Sequence, residues 1–152
     1  MTRESANFEV EDALVRAGVP SRAVLVGDAY YSIPTHEWIS GPFANWFGQA
    51  LTALGIRYEN ERHDCEDFAR LCAWAASHCH AKTPGASESG LAFGELWIAS
   101  HAHAINFAVH QGRGDDTLEV VCYEPQLDAR GFSCRLYPMT RADFQTVIHA
   151  RI

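Results

Sequence analysis

Asp64-Cys65-Glu66-Asp67-Phe68-Ala69 marks the point at which a polar turn gives way to an apolar-periodic run. Asp64 is a candidate N-cap, and Asp67 three residues later completes a variant of the capping box. Apolar residues then recur at helical spacing, at Phe68, Leu71, Cys72, Ala75 and Cys79. The stretch therefore predicts a helix that faces the core and carries the thiol of Cys65 in its first turn, at the core's rim.

The predicted helix carries three cysteines at intervals of seven residues, Cys65, Cys72 and Cys79, so they share one face. Neighbours in the series lie about 10 Å apart along the axis, which is too far for a disulfide. Cys72 and Cys79 are typical of small buried apolar residues. Five cysteines are an odd number for a secreted disulfide framework. Because residues 1–11 also lack the apolar core of a signal peptide, we expect a cytoplasmic location.

The composition is that of an ordinary globular protein, with 152 residues, 47% hydrophobic and 20% charged. We expect a chain of this length to form a single domain over residues 1–152. It can bury roughly 70% of its unfolded surface, so it should fold without a disulfide or metal staple. The net charge of −7 argues against a nucleic-acid partner, which would require a basic surface. No stretch approaches the ~20 apolar residues of a membrane span, so no membrane partner is expected. The oligomeric state stays open.

The order of the predicted elements defines the expected fold class. Residues 6–18 and 42–54 read as helices, whereas residues 20–34 read as irregular. Strands are predicted at Phe93–Ser100, His103–His110, Thr117–Tyr123 and Val147–Ile152, with a hairpin loop at residues 112–116. Helices followed by strands predict an α+β fold, in which N-terminal helices pack on a C-terminal antiparallel sheet.

The position of Cys65 suits a reactive thiol, because a helix N-terminus and a nearby imidazolium both favour the thiolate. His103 supplies that imidazole if its strand lies beside the helix start. Glu124 ends the next strand, and antiparallel pairing can place it beside His103 to orient the ring. The backbone N–H of Cys65 and a donor from Gln49 or Trp46 are candidates for stabilising an oxyanion.

The three carboxylates of Asp64, Glu66 and Asp67 oppose this chemistry, because negative charge disfavours a thiolate. Two interpretations are open. The carboxylates can point into solvent and cap the helix, or they can bind a cationic group of a substrate.

Residues 64–69, 103–106 (His-Ala-Ile-Asn) and 123–126 (Tyr-Glu-Pro-Gln), with Tyr31-x-Ile33-Pro34 upstream, resemble a known family. The pattern resembles the transglutaminase-like branch of the papain-like cysteine enzymes, and within it small phage and bacterial proteins. The resemblance covers roughly residues 30–126. It implies a papain-like α+β core.

The resemblance also implies roles: Cys65 as nucleophile, His103 as base and Glu124 as orienter. Glu124 stands where such enzymes usually carry Asp. The implied function is a cysteine hydrolase or acyltransferase that acts on an amide or ester of a peptide or protein without a cofactor. The substrate and the choice between hydrolysis and transfer stay open. Asn106, Gln126 and Tyr31 are further substrate-side candidates, although Asn106 equally fits a hydrogen bond to neighbouring backbone.

A metal site is the first alternative. His101 and His103, two residues apart on a predicted strand, share a face and can bind zinc or iron together with Cys65 or Glu124. His63 and residues 78–80 add further donors. The paired Cys-x₂-Cys spacing of a structural zinc site is absent. Periodicity alone does not separate His101 from His103 as a base, and only the resemblance selects His103.

A non-catalytic binding module is the second alternative: a papain-like fold, possibly phage-encoded in origin, that binds a peptide or host protein without turnover. The acidic residues around Cys65 favour it. The aromatic segment of residues 30–47 also favours it, because it can form an exposed groove.

Overall fold

The computed structural model describes residues 4–59, 64–84, 86–112 and 117–152. The helices in these ranges are α1 (Asn7–Ala17), α2 (His36–Trp38), α3 (Ala44–Ala53), α4 (Cys65–Ala81) and α5 (Arg141–Gln145). The strands are β1 (Glu4–Ala6), β2 (Val24–Leu25), β3 (Tyr30–Ser32), β4 (Gly90–Leu91), β5 (Phe93–Ile98), β6 (His103–Gln111), β7 (Leu118–Glu124), β8 (Arg135–Leu136) and β9 (Val147–Arg151). None of the described helices is long and apolar enough to cross a bilayer.

Two sheets organise the strands. The larger has six strands in the order β2-β9-β5-β6-β7-β8, all antiparallel except the parallel pair β2–β9. The smaller has the order β1-β3-β4, with β3 and β4 parallel. The long antiparallel ladder of β5, β6 and β7 provides the frame on which the helices pack.

The longest helix begins where the sequence predicts it to begin. The side chain of Asp64 accepts hydrogen bonds from the backbone N–H groups of Glu66 and Asp67, at 3.2 and 3.4 Å, so Asp64 is the N-cap of α4. α1 ends at Gly18, whose φ of 122° few other residues adopt. The predicted helices and the four long strands are confirmed.

Helices pack on both faces of the six-stranded sheet. Alternate residues of a strand point to opposite faces, so each strand contributes side chains to both layers. On β6, Ile105 and Phe107 pack in one core with residues of α1 and α5. Ala108 packs in a second core with residues of α3 and α4. The two cores are hereafter the α1 face and the α4 face of the sheet.

The expected separation of N-terminal helices from a C-terminal antiparallel sheet is wrong. β2 lies in the N-terminal half yet joins the main sheet, in parallel with β9. α5 lies among the C-terminal strands. The fold is therefore mixed α/β. Residues 20–34, expected to be irregular, contain β2 and β3, which are too short to show alternation. Of the predicted hairpin loop, residues 113–116 lie outside the described residues.

Candidate binding site

Cys65 is the first residue of α4, half-buried, with a free thiol. Of the three nearby carboxylates, Asp64 caps the helix, and Asp67 lies 4.0 Å from Arg70 in an exposed pair. Asp64 and Asp67 therefore agree with the first of the two interpretations, in which the carboxylates cap the helix and face solvent.

The structure joins two of the three residues predicted to form a triad. Nε2 of His103 donates to Oε2 of Glu124 at 2.7 Å, and Oε1 of Glu124 accepts from the backbone N–H of Gln126 at 3.0 Å. The ring of His103 also lies 5.7 Å from that of Tyr137. Within the described part of the chain, no hydrogen bond connects the sulfur of Cys65 to either member of this pair. A shared role of the three residues stays a prediction.

His101 does not share the strand of His103, so the expectation that both lie on one strand face is wrong. β6 begins at His103, and Ala102 has a left-handed φ of 46°. The ring of His101 instead bonds the hydroxyl of Tyr137 at 2.9 Å and the carboxylate of Asp143 at 3.0 Å. Both rings lie beside Tyr137, but the turn between the two histidines gives them different carboxylate partners, Asp143 for His101 and Glu124 for His103.

The metal alternative is not supported. Among the described residues, no group of three or more His, Cys, Asp or Glu side chains could hold a metal ion. His63, one of the predicted donors, lies outside the described residues.

Two predicted substrate-side residues use their polar side-chain groups in hydrogen bonds to the backbone. Asn106 is fully buried, and its Nδ2 donates to the carbonyls of Ala69 and Gly94 at 2.8 and 2.9 Å. The hydroxyl of buried Tyr31 accepts from the N–H groups of residues 27 and 28. The interpretation of Asn106 as a hydrogen-bonding partner of neighbouring backbone is confirmed, and it ties α4 to β5.

A groove of about 910 Å³ lies between α3 and the segment 130–136. One wall is a polar stripe of α3, formed by Asn45, Gln49 and Thr52 at positions i, i+4 and i+7. Phe47 on the opposite side of the helix is buried in the core. α3 is thus amphipathic, and its polar side faces the groove. Trp46, the other predicted donor on this helix, is 45% exposed and does not line it.

Close approach of two backbones forms the base of the groove. A Cβ on Gly48 would lie 3.1 Å from the carbonyl oxygen of Gly131, so a larger residue would push the segment away. Asp128 holds the turn, because its Oδ1 accepts from the N–H groups of Arg130 and Phe132, at 2.9 Å each. The pKa of the Asp128 carboxyl is lowered, chiefly by the bond from Phe132.

The charged side chains that line the groove are the guanidinium groups of Arg130 and Arg135. The described lining contains no carboxylate, although the chain carries a net charge of −7 and Arg130 pairs with Asp128 at 3.3 Å. The guanidinium of Arg130 lies 5.2 Å above the ring of Phe132, which is 52% exposed. The groove therefore combines amides, guanidinium groups and an accessible aromatic ring.

A chain of hydrogen bonds leads from the groove into the α4 face. Nδ1 of His36 lies 3.0 Å from the hydroxyl of Tyr123, which lies 2.7 Å from Nε2 of His110. Nδ1 of His110 lies 2.8 Å from the carbonyl of Pro34. Burial lowers the pKa of His110 and raises that of Tyr123, so both are neutral at pH 7.

Sequence reasoning singled out Gln49 of this groove but missed Asn45, Arg130 and Phe132. The polar spacing of residues 45, 49 and 52 on an otherwise apolar helix was an available signal. The segment 130–136 carries no comparable signal, because it meets α3 only through tertiary packing.

Neither a family model nor a curated protein matches this sequence. Solved structures do share the fold. A structure of a PSL1a–E64 complex matches with a TM-score of 0.69 and 19% identity, over 98% of this chain and 50% of that one. A structure of Polyporus squamosus lectin, bound to the human-type influenza-binding epitope Neu5Acα2-6Galβ1-4GlcNAc, matches with a TM-score of 0.70 and 20% identity, over 98% and 49%.

These matches correct the family expectation. One of these two matched structures is of a lectin, and neither is described as a papain-like or transglutaminase-like enzyme, so the expected papain-like core and cysteine hydrolase or acyltransferase are wrong. Neither matched structure is described with a peptide or protein substrate. This chain spans about half the length of the matched chains. At this level of identity, the comparison establishes the fold of the chain and not its ligand.

Proposed function

We propose that this chain is a carbohydrate-binding module whose saccharide lies in the groove between α3 and residues 130–136. The observation that carries the proposal is the pairing of exposed amides, Asn45 and Gln49, with the exposed ring of Phe132 across one groove. An amide both donates and accepts hydrogen bonds, as sugar hydroxyls require, and an aromatic ring offers an apolar surface to the C–H face of a sugar. The groove volume is in the range of ligand sites.

The structural comparison supports the same class of ligand. The Polyporus squamosus lectin structure contains a sialylated trisaccharide, and its chain shares this fold over the length of the present chain. This saccharide carries a carboxylate, which suits a groove lined by Arg130 and Arg135. The non-catalytic binding alternative thus fits better than catalysis, although its papain-like and peptide-binding parts do not.

Titration calorimetry with Neu5Acα2-6Galβ1-4GlcNAc tests the proposal directly. We expect Gln49→Ala and Phe132→Ala each to weaken binding about tenfold or more, equivalent to about 1.4 kcal/mol. Gln145→Ala is the matched control, because Gln145 is an exposed helical glutamine on α5, outside the groove. Urea unfolding of each variant verifies that stability is unchanged.

Two results would contradict the proposal. One is no binding of the trisaccharide, or of any sugar on a glycan array, at millimolar concentration. The other is binding that Gln49→Ala, Phe132→Ala and Gln145→Ala leave equally unchanged. E64 serves as the second probe, because PSL1a forms a complex with it. An E64 adduct on Cys65 in a protein that binds no saccharide would move the functional site from the groove to the start of α4.

A further inference from the structure

Two buried cysteines from distant parts of the chain meet beside the groove. Cys72 lies in α4 and Cys134 in the groove wall, and their sulfurs are 3.6 Å apart. We propose that this pair is an oxidation site, at which a peroxide converts two thiols into a disulfide that ties α4 to the groove wall. The inference is independent of which ligand the groove binds.

The geometry requires only a small movement. A disulfide bond is about 2.05 Å long, so the two sulfurs must approach by roughly 1.6 Å, which side-chain rotation can supply. Among the described hydrogen bonds, Cys72–Cys134 is the sole thiol pair in contact, whereas buried Cys122 packs in the other core. Cys134 is 1% exposed but belongs to the groove lining, so the groove is the side from which a small oxidant would reach it.

The backbone and neighbours of Cys134 hold its sulfur in place. Cys134 has a left-handed φ of 49°, unusual for a residue with a side chain. The preceding Ser133 is anchored because its hydroxyl donates to the carbonyl of Pro125. The Ser133 hydroxyl also lies 3.5 Å from the sulfur of Cys134. The thiol is thus fixed opposite its partner before any reaction.

The two thiols differ in acidity in the direction that oxidation requires. A hydrogen bond from Cys72 lowers the pKa of Cys134, and the Ser133 hydroxyl adds to the effect. Burial raises the pKa of Cys72. Cys134 is therefore the sulfur that reacts first, with Cys72 as the resolving thiol.

The reaction balances with hydrogen peroxide as the oxidant. The thiolate sulfur of Cys134 attacks one peroxide oxygen, the O–O bond breaks, and a sulfenic acid and hydroxide form. The sulfur of Cys72 then attacks the sulfenic sulfur and displaces hydroxide. With the two thiol protons, the two hydroxides leave as water. Two electrons pass from the thiols to one peroxide.

Mass spectrometry of the full chain tests the pair. The folded protein is treated with hydrogen peroxide, alkylated with N-ethylmaleimide in urea and digested with trypsin. The expected product links peptide 131–135 to peptide 71–82 and has lost two hydrogen atoms. Because peptide 71–82 also contains Cys79, the experiment is repeated with Cys79→Ser, which should retain the link. We expect this link to be about tenfold more abundant than any other pairing.

Cys72→Ser and Cys134→Ser should each abolish the link, and Cys122→Ser, which removes a buried thiol from the other core, should not. The oxidised wild type should unfold at a higher urea concentration than the reduced protein, because the bridge closes a long loop. The proposal is overturned if Cys72 and Cys134 remain fully alkylated while half-buried Cys65 or Cys79 is oxidised. The proposal is equally overturned if peroxide forms the link only when the protein is unfolded in urea. Both outcomes are measured on the wild type, so they do not depend on whether a variant folds.

Discussion

The two faces of the six-stranded sheet differ in kind. The α1 face is mainly aliphatic, built from residues such as Leu14, Ile98 and Ile105. The α4 face combines stacked aromatic rings with the Cys72–Cys134 pair, buried Asn106 and the hydroxyl of Tyr123. Non-directional burial stabilises the first face, whereas the second depends on specific partners, because an unpaired buried polar group is costly. Both the proposed binding site and the proposed oxidation site lie on the second face.

The largest expected effect is on the α1 face. Phe107 is fully buried there. Phe107→Ala should lower the free energy of unfolding by about 3–5 kcal/mol, through lost burial and the cavity left behind. Phe8, 67% exposed on α1, provides the matched control, and Phe8→Ala should change the free energy of unfolding by less than about 0.5 kcal/mol. Equal effects in urea unfolding would show that this face is not a packed core.

On the α4 face, loss of hydrogen bonds should matter more than loss of volume. Asn106→Ala removes the donor to the carbonyls of Ala69 and Gly94 and should cost about 1–3 kcal/mol. Asn45→Ala, on the exposed side of α3, should leave stability unchanged. A cost for Asn106→Ala no greater than for Asn45→Ala would remove the distinction between the two faces.

Acid should weaken the α4 face in particular. Burial lowers the pKa of His110, so the unfolded chain binds its proton more readily than the folded protein does. The contribution of neutral His110 to the free energy of unfolding is therefore fully present above the ordinary histidine pKa of about 6.5 and is lost as the pH falls below it. His110→Gln should flatten urea midpoints measured from pH 7.5 to 5. Burial also lowers the pKa of His80, so the same titration of His80→Gln measures how much of the acid destabilisation comes from His80.

The smallest effect is expected on the outer surface of α1. Arg16 and Asp12 form an exposed pair at 2.7 Å, with side chains 48% and 63% exposed. Asp12→Asn should change the free energy of unfolding by less than about 0.5 kcal/mol, and less still at high salt. A loss above 1 kcal/mol in thermal or urea unfolding would mean that the α1 layer depends on charge as well as on burial.

Local signals predicted the features that depend on local structure. Asp64 and the apolar stripe after it placed the start of α4, and alternation placed β5, β6, β7 and β9. The approach of Glu124 to His103 followed from antiparallel pairing across one hairpin.

Features that depend on distant packing were not predictable in this way. β2 has two residues and is defined by its bonds to β9, not by a pattern of its own. The base of the groove depends on Gly48, which lets the backbone of α3 approach the carbonyl of Gly131. The motifs around residues 65, 103 and 124 suggested an enzyme family because short motifs report local geometry, and the fold match instead identified a lectin structure.

The hydrogen-bond chain behind the groove has a fixed polarity. The carbonyl of Pro34 can only accept, so Nδ1 of neutral His110 carries the proton and its Nε2 accepts from the hydroxyl of Tyr123. That hydroxyl then accepts from Nδ1–H of His36. In neutral His36 the remaining nitrogen, Nε2, is left with a lone pair at the groove. The carbonyl of Pro34, three hydrogen bonds away, thus sets the tautomer of neutral His36. The groove therefore offers a ligand a hydrogen-bond acceptor at His36 and hydrogen-bond donors at Arg130 and Arg135.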